Sequence, residues 1–336
     1  MQYNGTISDM LDLQCGLPQG SCLGPLLYSI FVNDLPYTLN NAQMEIYADD
    51  TTIWVAGVND VTVNTLLQDN ITLVSNWIVN NQLKLNVSKT KSIMFVSRKG
   101  VTPDPKLNLM AHGSNIEQVK EARLLGVIVD ERLTFSSHIS EVLSRMGQRI
   151  SVVARARHCL SASAVRLVLE ALVLSCLSYC PAVWSSATKQ DRNRLQVAQN
   201  RAARLALGCS RRDSVEWMHE ALAWLTVEQR LACCLITFLF NVYKVKKPQR
   251  MLLKLQPTNE RHNYNTRNAS KEHFTLPVPK SNALKRTVMY RAETQWNELP
   301  PKLIQIKNKD SFKLSLKKAI INKEITIDLD KYLSLC

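Results

Sequence analysis

Met44-Glu45-Ile46-Tyr47-Ala48-Asp49-Asp50-Thr51-Thr52-Ile53-Trp54-Val55 is the stretch whose reading decides the fold of this chain. Ile, Tyr, Thr, Trp and Val favour strands, while an Asp-Asp pair between two such runs favours a tight turn. The pattern predicts a hairpin with both carboxylates at its tip. Two unit charges 4 Å apart repel by roughly 4 kcal/mol at an effective dielectric of 20, so a partly buried pair of this kind asks for cations. Hard oxygen ligands suit Mg²⁺, with Mn²⁺ as the alternative; such ions bind through one or two carboxylates together with substrate phosphates. Taken alone, the tetrapeptide reads equally well as a solvated hairpin turn.

Upstream, Gly16-Leu17-Pro18-Gln19-Gly20-Ser21-Cys22-Leu23-Gly24-Pro25 predicts a loop whose backbone can approach a ligand closely, running into a buried helix over Leu26–Val32. Downstream, Val63, Leu66, Leu67, Ile71, Val74, Trp77 and Ile78 follow helical spacing between Asp60 and Asn81. Lys91–Val96 and Leu124–Val129 are strand-like, so the first 135 residues read as α+β. From Ser136 the texture becomes helical. Val142, Met146, Ile150 and Val153 form an apolar stripe with Arg145 and Arg149 on another face. Leu167–Cys180 reads as one core helix ending before Pro181, Lys189–Leu207 as a basic helix ending at Gly208, and Thr226 with Gln229 as a capping box. Beyond Lys244 the chain turns polar, basic and proline-punctuated. It closes with a helix over Ser311–Lys323 bearing Lys313, Lys317 and Lys318.

The 336 residues are 46% hydrophobic and 21% charged, which is ordinary globular composition and excludes a disordered chain as the default. The net charge of +14 points to a polyanionic partner, and its distribution sharpens this. Residues 1–100 hold 5 Lys+Arg against 8 Asp+Glu, whereas residues 101–336 hold 37 against 20. An acidic segment carrying the carboxylates thus precedes a basic one. Nine cysteines without regular spacing do not form a secreted disulfide framework, and no zinc-ligand spacing completes. The start lacks a signal-peptide pattern, and the most apolar stretch, Leu231–Phe240, is too short to cross a bilayer. The expectation is an intracellular protein of the cytoplasm and nucleus with no membrane partner.

The order of motifs carries more than any single one. A Pro-Gln-Gly-Ser loop with Gly24-Pro25 behind it, Asn33-Asp34-Leu35-Pro36, Tyr-Ala-Asp-Asp, Asn86, Lys89-Thr90-Lys91 and Leu125-Gly126-Val127 together resemble the palm of a reverse transcriptase of the non-LTR retrotransposons. Tyr264-Asn265-Thr266-Arg267 and Trp296-Asn297-Glu298-Leu299-Pro300 are similar to stretches typical of the tails of these proteins. The resemblance implies an α+β fold: a partial polymerase palm over residues 1–138, an α-helical thumb-like region over 139–243 and a basic C-terminal region over 244–336. It implies RNA-directed DNA polymerisation with Mg²⁺, or Mn²⁺, on an RNA template and a DNA primer, using deoxynucleoside triphosphates.

Position by position, Asp49 matches the main metal ligand and Asp50 a supporting one. Tyr47 would lie beside the primer end, and Gln19 and Gly20 would contact the incoming nucleotide and template. Lys89, with Lys91 as the other candidate, would neutralise the leaving pyrophosphate. Leu125-Gly126-Val127 resembles the element that supports the primer strand, and Arg145 and Arg149 would track phosphates. Family members carry their first catalytic Asp on a strand before the Pro-Gln-Gly-Ser loop, in an aromatic-x-x-Asp context. Asp9 and Asp12 lack that context, and Asp34 belongs to the Asn-Asp-Leu-Pro element. The expectation is therefore an amino-terminally truncated enzyme with little polymerase activity of its own. The alternatives are a non-catalytic nucleic-acid-binding relic and a relic that does not fold stably.

Overall fold

The computed structural model describes residues 2–3, 6–7, 16, 20–96, 106–258, 272–279 and 282–330. The chain divides into two compact units, Met1–Lys120 and Glu121–Cys336. Helix and sheet are mixed, with the strands confined to small sheets.

In the first unit, strands β1 (Gln2–Tyr3) and β2 (Thr6–Ile7) pair antiparallel. They are followed by α1 (Gly24–Phe31), a 3₁₀ turn (Leu35–Thr38) and the antiparallel hairpin of β3 (Gln43–Tyr47) with β4 (Asp50–Trp54). Next comes α2 (Asp60–Asn80), where the apolar periodicity placed it. Asn59 caps it by accepting from the Thr62 amide at 2.8 Å. β5 (Lys91–Ser92), β6 (Leu109–Ala111) and β7 (Ser114–Gln118) form a three-stranded sheet in the order β5-β7-β6.

Two expectations for this unit need correction. Only Lys91 and Ser92 of the strand-like Lys91–Val96 run are in a strand. And α1 is not a buried helix: none of its residues is buried, with Ile30 64% exposed. Its apolar contacts gather at its C-terminal end, where Phe31 meets Trp77 edge-on with ring centres 5.9 Å apart and Val32 enters the core.

The second unit opens with a hairpin of β8 (Glu121–Leu124) and β9 (Val127–Asp130), so the strand-like Leu124–Val129 run is split by a turn at Leu125-Gly126. Both turn residues have positive φ (45° and 80°), as a two-residue primed hairpin turn requires. The turn is fastened by the Tyr179 hydroxyl, which donates to the Leu125 carbonyl at 2.5 Å, while the Tyr179 ring covers Gly126.

The helices follow: α3 (Ser136–Ala156), α4 (Ala162–Leu172), α5 (Pro181–Trp184), α6 (Lys189–Leu207), α7 (Val215–Leu222) and α8 (Val227–Lys244). The four-residue helices α9 (Gln249–Leu252) and α10 (Asn282–Lys285) lead to α11 (Val288–Asn297), α12 (Pro301–Ile304) and α13 (Lys309–Ile321). The Val142, Met146, Ile150 and Val153 stripe of α3 is buried, α6 stops at Gly208 with φ 74°, and both hydrogen bonds of the Thr226–Gln229 capping box are present. Leu167–Cys180 is not one helix. α4 ends at Leu172, whose carbonyl accepts from Arg149 Nη1 at 2.5 Å, and a 3₁₀ turn covers Leu174–Ser178. A terminal carbonyl satisfied by a side chain lets the backbone leave the α geometry before Pro181.

One core runs from Val127 to Leu329. The C-terminal helices close it: Phe312 stacks on Phe240 at 4.4 Å, and Trp296 is fully buried against both. Polar latches reinforce the closure, since Arg291 donates to the Ser185 carbonyl and Arg192 pairs with Asp330. Among the described residues no single helix is long and apolar enough to cross a bilayer. The bent pair α7–α8 passes only when joined. The most apolar residues of α8, including Leu231, Ile236 and Phe240, are spent on this core.

Within α11, Glu293 is buried, and burial pushes its carboxyl up to about 7 from an ordinary value of 4.5. A raised carboxyl means that the folded state holds a proton the unfolded chain has released. The stabilising effect is therefore complete below the ordinary value and is lost as pH rises through about 7. Glu293→Gln is expected to leave stability near pH 4.5 almost unchanged and to raise it at pH 8 by ~1–3 kcal/mol. Thermal melts of both proteins at the two pH values check this, and an advantage that does not grow with pH contradicts it.

Candidate catalytic carboxylate hairpin

The β3–β4 register pairs Tyr47 with Asp50, Ile46 with Thr51, Glu45 with Thr52, Met44 with Ile53 and Gln43 with Trp54. Directly opposed residues share a face, so Met44, Ile46 and Ile53 form the inner face against Val74, Trp77 and Ile78 of α2. The outer face presents Tyr47, Asp50 and Trp54, with Tyr47 68% exposed. Ala48 and Asp49 are the two turn residues, and Ala48 lies in the left-handed region with φ 52°. That conformation costs a residue with a Cβ ~1–2 kcal/mol, and the packed strands behind the turn hold it.

The hairpin is fixed from below by one amide. Asn70 of α2 is buried; its Oδ1 accepts from the Asn40 amide at 2.8 Å, and its Nδ2 donates to the Asn40 carbonyl at 2.8 Å and to Leu66 at 2.7 Å. Asn40 stands three residues before β3, so this two-way clasp sets where the hairpin leaves the helix. Earlier on α2, Gln68 likewise exchanges two hydrogen bonds with Met110, and Asn64 accepts from the Asn108 amide. These side chains close the β6 edge of the second sheet.

Asp49 and Asp50 are both exposed, and among the described residues neither carboxylate has a hydrogen-bond or ion-pair partner. The expectation of a partly buried pair is thereby corrected: near water-like screening, the mutual repulsion is closer to 1 kcal/mol than to 4. Both carboxylates are free to accept a hard cation. Two adjacent carboxylates fit the protein side of one Mg²⁺ or Mn²⁺ ion, with water and phosphate supplying the rest. Among the described residues no group of three or more His, Cys, Asp or Glu side chains could hold a metal ion.

The other site residues fall on separate elements. Gln19 lies outside the described residues. Gly20 has φ 88°, and a Cβ built there meets nothing within 4 Å, so conformation and not crowding explains the glycine. Lys89 is exposed in a turn that Asn86 organises, where Asn86 Oδ1 accepts from Ser88 at 2.8 Å and from the Lys89 amide at 3.2 Å. The Lys89 side chain is unpaired among the described residues, whereas Lys91 is engaged by Glu117 at 2.5 Å. Leu85, Val87 and Met94, around that turn, pack on the Leu107–Ile116 cluster with Val63, Leu67 and Ile71 of α2. The hairpin packs on the other cluster of the same helix, so Lys89 and the carboxylates share α2 as a common support without touching within the described contacts.

In the second unit, Arg145 pairs with Glu141 at 3.7 Å, and Arg149 is spent on Leu172 and on Cys176 Sγ at 3.2 Å. Hydrogen bonding from Arg123 at 2.6 Å, outweighing slight burial, holds the Glu141 carboxyl below its ordinary range.

Asn70 escaped the reading of motifs, yet a signal was present. It occupies a position of the apolar stripe between Leu66, Leu67 and Val74, and a polar residue in register with a core face needs a buried partner. Tyr179 carried no comparable signal.

The hairpin thus presents two adjacent, exposed carboxylates on strands backed by α2, and comparison with known proteins shows what the surrounding segment is similar to. Residues 2–129 match the family model described as reverse transcriptase (RNA-dependent DNA polymerase). Over 230 residues, 66% of this chain and 25% of the relative, the identity is 30% to a probable RNA-directed DNA polymerase from transposon BS of Drosophila melanogaster. The RNA-directed DNA polymerase from mobile element jockey of the same fly is 27% identical over 62% of this chain and 23% of its own length. The retrovirus-related Pol polyprotein from type-1 retrotransposable element R1 2 of Nasonia vitripennis is 28% identical over 69% of this chain and 58% of its own. The chain spans about a quarter of the first two relatives. No solved structure matches. Residues 2–129 are thus similar to the reverse transcriptases, and the relatives matched are RNA-directed DNA polymerases of non-LTR retrotransposons.

If the Asn70 clasp positions the hairpin, Asn70→Leu leaves the Asn40 amide and carbonyl without partners, at a cost of about 1–3 kcal/mol. Amide exchange at Asn40 and through β3–β4 is expected to accelerate by roughly one to two orders of magnitude, with the C-terminal core unaffected. Unchanged exchange in the hairpin would contradict the clasp.

Proposed function

We propose that the Asp49–Asp50 hairpin is the metal-holding part of a nucleotidyl-transfer centre for RNA-directed DNA synthesis on an RNA template with a DNA primer. One observation carries this reading: two free, exposed carboxylates stand at the tip of a hairpin packed on α2, next to a left-handed Ala48, inside a segment matching the reverse transcriptase family. In this reading Asp49 is the principal ligand of Mg²⁺ or Mn²⁺ and Asp50 supports it. A divalent ion bound there would lower the pKa of the attacking 3′-hydroxyl and neutralise charge on the phosphates. Tyr47, on the outer face beside Asp50, offers its ring to the primer end. The Gln19-Gly20 loop receives the nucleotide, Gly20 supplying a backbone conformation that other residues resist. Lys89, unpaired on its Asn86-organised turn, neutralises the leaving pyrophosphate. Leu125-Gly126-Val127, clasped by Tyr179, supports the primer strand. Residues 139–243, with Arg145 and Arg149, serve as a thumb for duplex phosphates, and residues 244–336 extend the basic surface.

We infer further that residues 1–336 by themselves polymerise poorly. A two-ion centre needs oxygens from both sides, and among the described residues one hairpin supplies them from one side only. A second reading, nucleic-acid binding without synthesis, is favoured by the charge of residues 121–336, which hold 35 Lys+Arg against 18 Asp+Glu.

Primer extension on poly(rA)/oligo(dT) with Mg²⁺ or Mn²⁺ tests both points. The expected result is incorporation near background that Asp49→Ala does not change, together with retained binding of the template–primer. Robust incorporation abolished by Asp49→Ala would establish the metal role and overturn the incompleteness.

A further inference from the structure

After α13 the chain continues as a strap over residues 322–330, outside any helix or sheet. Ile325 and Ile327 pack against the core and Leu329 enters it, while Thr326 and Asp328 between them are exposed. Alternation of this kind belongs to an extended segment lying in a groove. The groove is built by α6, α8 and α11, and it grips backbone as well as side chains. The Leu329 amide donates to Glu228 Oε1 at 3.2 Å, and the Asp328 carbonyl accepts from Gln295 Nε2 at 3.2 Å. Arg291 Nη2 donates to the Leu329 carbonyl at 3.4 Å, and the Asp330 carboxylate pairs with Arg192.

The groove is aimed by groups outside the strap. Arg192 Nη1 donates to the Ala187 carbonyl at 2.7 Å and Arg291 Nη1 to the Ser185 carbonyl, so the link between α5 and α6 orients both guanidiniums. Arg192, Arg291 and Gln295 are all buried, and Arg291 Nε has no hydrogen-bond partner. A vacated groove would hold two buried guanidiniums beside an apolar hollow, which is a costly combination. It therefore favours a replacement of the same chemistry: aliphatic side chains at alternate positions followed by a carboxylate. Every copy of this chain carries that segment. The hinge permits departure, because Lys323 has φ 60°, a left-handed conformation that an extended hinge relieves. Lys323 Nζ pairs with Glu216 at 2.7 Å and Glu220 at 3.2 Å of α7, but all three side chains are more than half exposed, so the pairs hold weakly. Short hinges under strain favour exchange of an element between copies. Extended, residues 322–330 reach roughly 30 Å, enough to cross to a second molecule.

We propose that the groove between α6, α8 and α11 is an interaction surface for a second copy of this chain, with two copies exchanging the strap over residues 325–330. In the exchanged pair Asp330 of each copy meets Arg192 of the other, and Leu329 of each fills the other's hollow. The contacts of the closed strap are retained and the left-handed hinge is relieved, so protein concentration sets the balance between the two forms. This interaction is independent of the proposed function.

Sedimentation velocity of the full chain over a range of concentrations tests the exchange. The native chain is expected to show a dimer fraction that rises with concentration. Asp330→Arg and Arg192→Asp each break the Arg192–Asp330 pair, and each variant alone is expected to stay monomeric. Mixed in equal amounts, the two bring opposite charges together only by exchanging straps, and the dimer is expected to return. A native chain that stays monomeric overturns the proposal, and so does a mixture of folded variants that remains two monomers. Dimers of Asp330→Arg alone, as abundant as those of the native chain, place the contact elsewhere and overturn it too. Thermal melts establish that each variant is folded. Hydrogen exchange of the native chain gives a measure that needs no variant: the Leu329 amide is expected to exchange at least about tenfold faster than the Leu235 amide of α8. Equal rates would mean that the strap leaves only when the whole unit unfolds, which overturns the proposal whatever the variants do.

Discussion

The first unit depends on one helix with two occupied faces. α2 packs Val74 and Trp77 against the carboxylate hairpin and Val63, Leu67 and Ile71 against the second sheet, and its buried amide Asn70 fixes the chain just before β3. A two-stranded hairpin is marginal in water by itself, so β3–β4 borrows its stability from this contact. Full burial of an aliphatic or aromatic side chain is worth about 1.5–3 kcal/mol. Hydrophobic packing on α2 therefore exceeds the ~1–2 kcal/mol that a left-handed Ala48 costs. The carboxylates are presented because the core can sustain a strained turn beneath them.

Electrostatics divides the molecule differently from packing. The first unit carries an acidic balance with its two free carboxylates exposed, and the second carries the basic excess. Much of that excess is tied down. Arg149 closes the end of α4, Arg192 and Arg291 latch the C-terminal segment, and Arg123 and Arg145 gather on Glu141. Position in the sequence alone does not separate such structural arginines from those free to meet a ligand. The difference lies in whether a carbonyl or carboxylate stands within reach in the fold.

That distinction marks what the sequence could reveal. The hairpin, α2, the α3 stripe, the capping box and the Gly208 stop were legible because each is written in local spacing and cap chemistry. The Leu167–Cys180 segment misled because apolar content speaks for burial and not for helical continuity, and the Leu172 carbonyl at the break accepts from Arg149 of a neighbouring helix, a contact that local spacing does not show. α1 misled for a related reason. Its residues are apolar, but burial requires an opposing surface, and the described elements offer one only at its last turn. The carboxylates were found by motif, while their exposure and the clasp that aims them emerged from tertiary contacts.

The central claim is that the Asp49–Asp50 turn, held by α2, is where this chain receives a divalent cation. Backbone amide NMR of the full chain titrated with Mn²⁺ addresses it most directly, because a paramagnetic ion broadens the signals nearest its binding site. The account predicts that Tyr47–Thr51 broaden first and that Asp49→Asn abolishes the effect while leaving the Lys89 turn and the second unit undisturbed. Broadening centred elsewhere, or unchanged by Asp49→Asn, would contradict it.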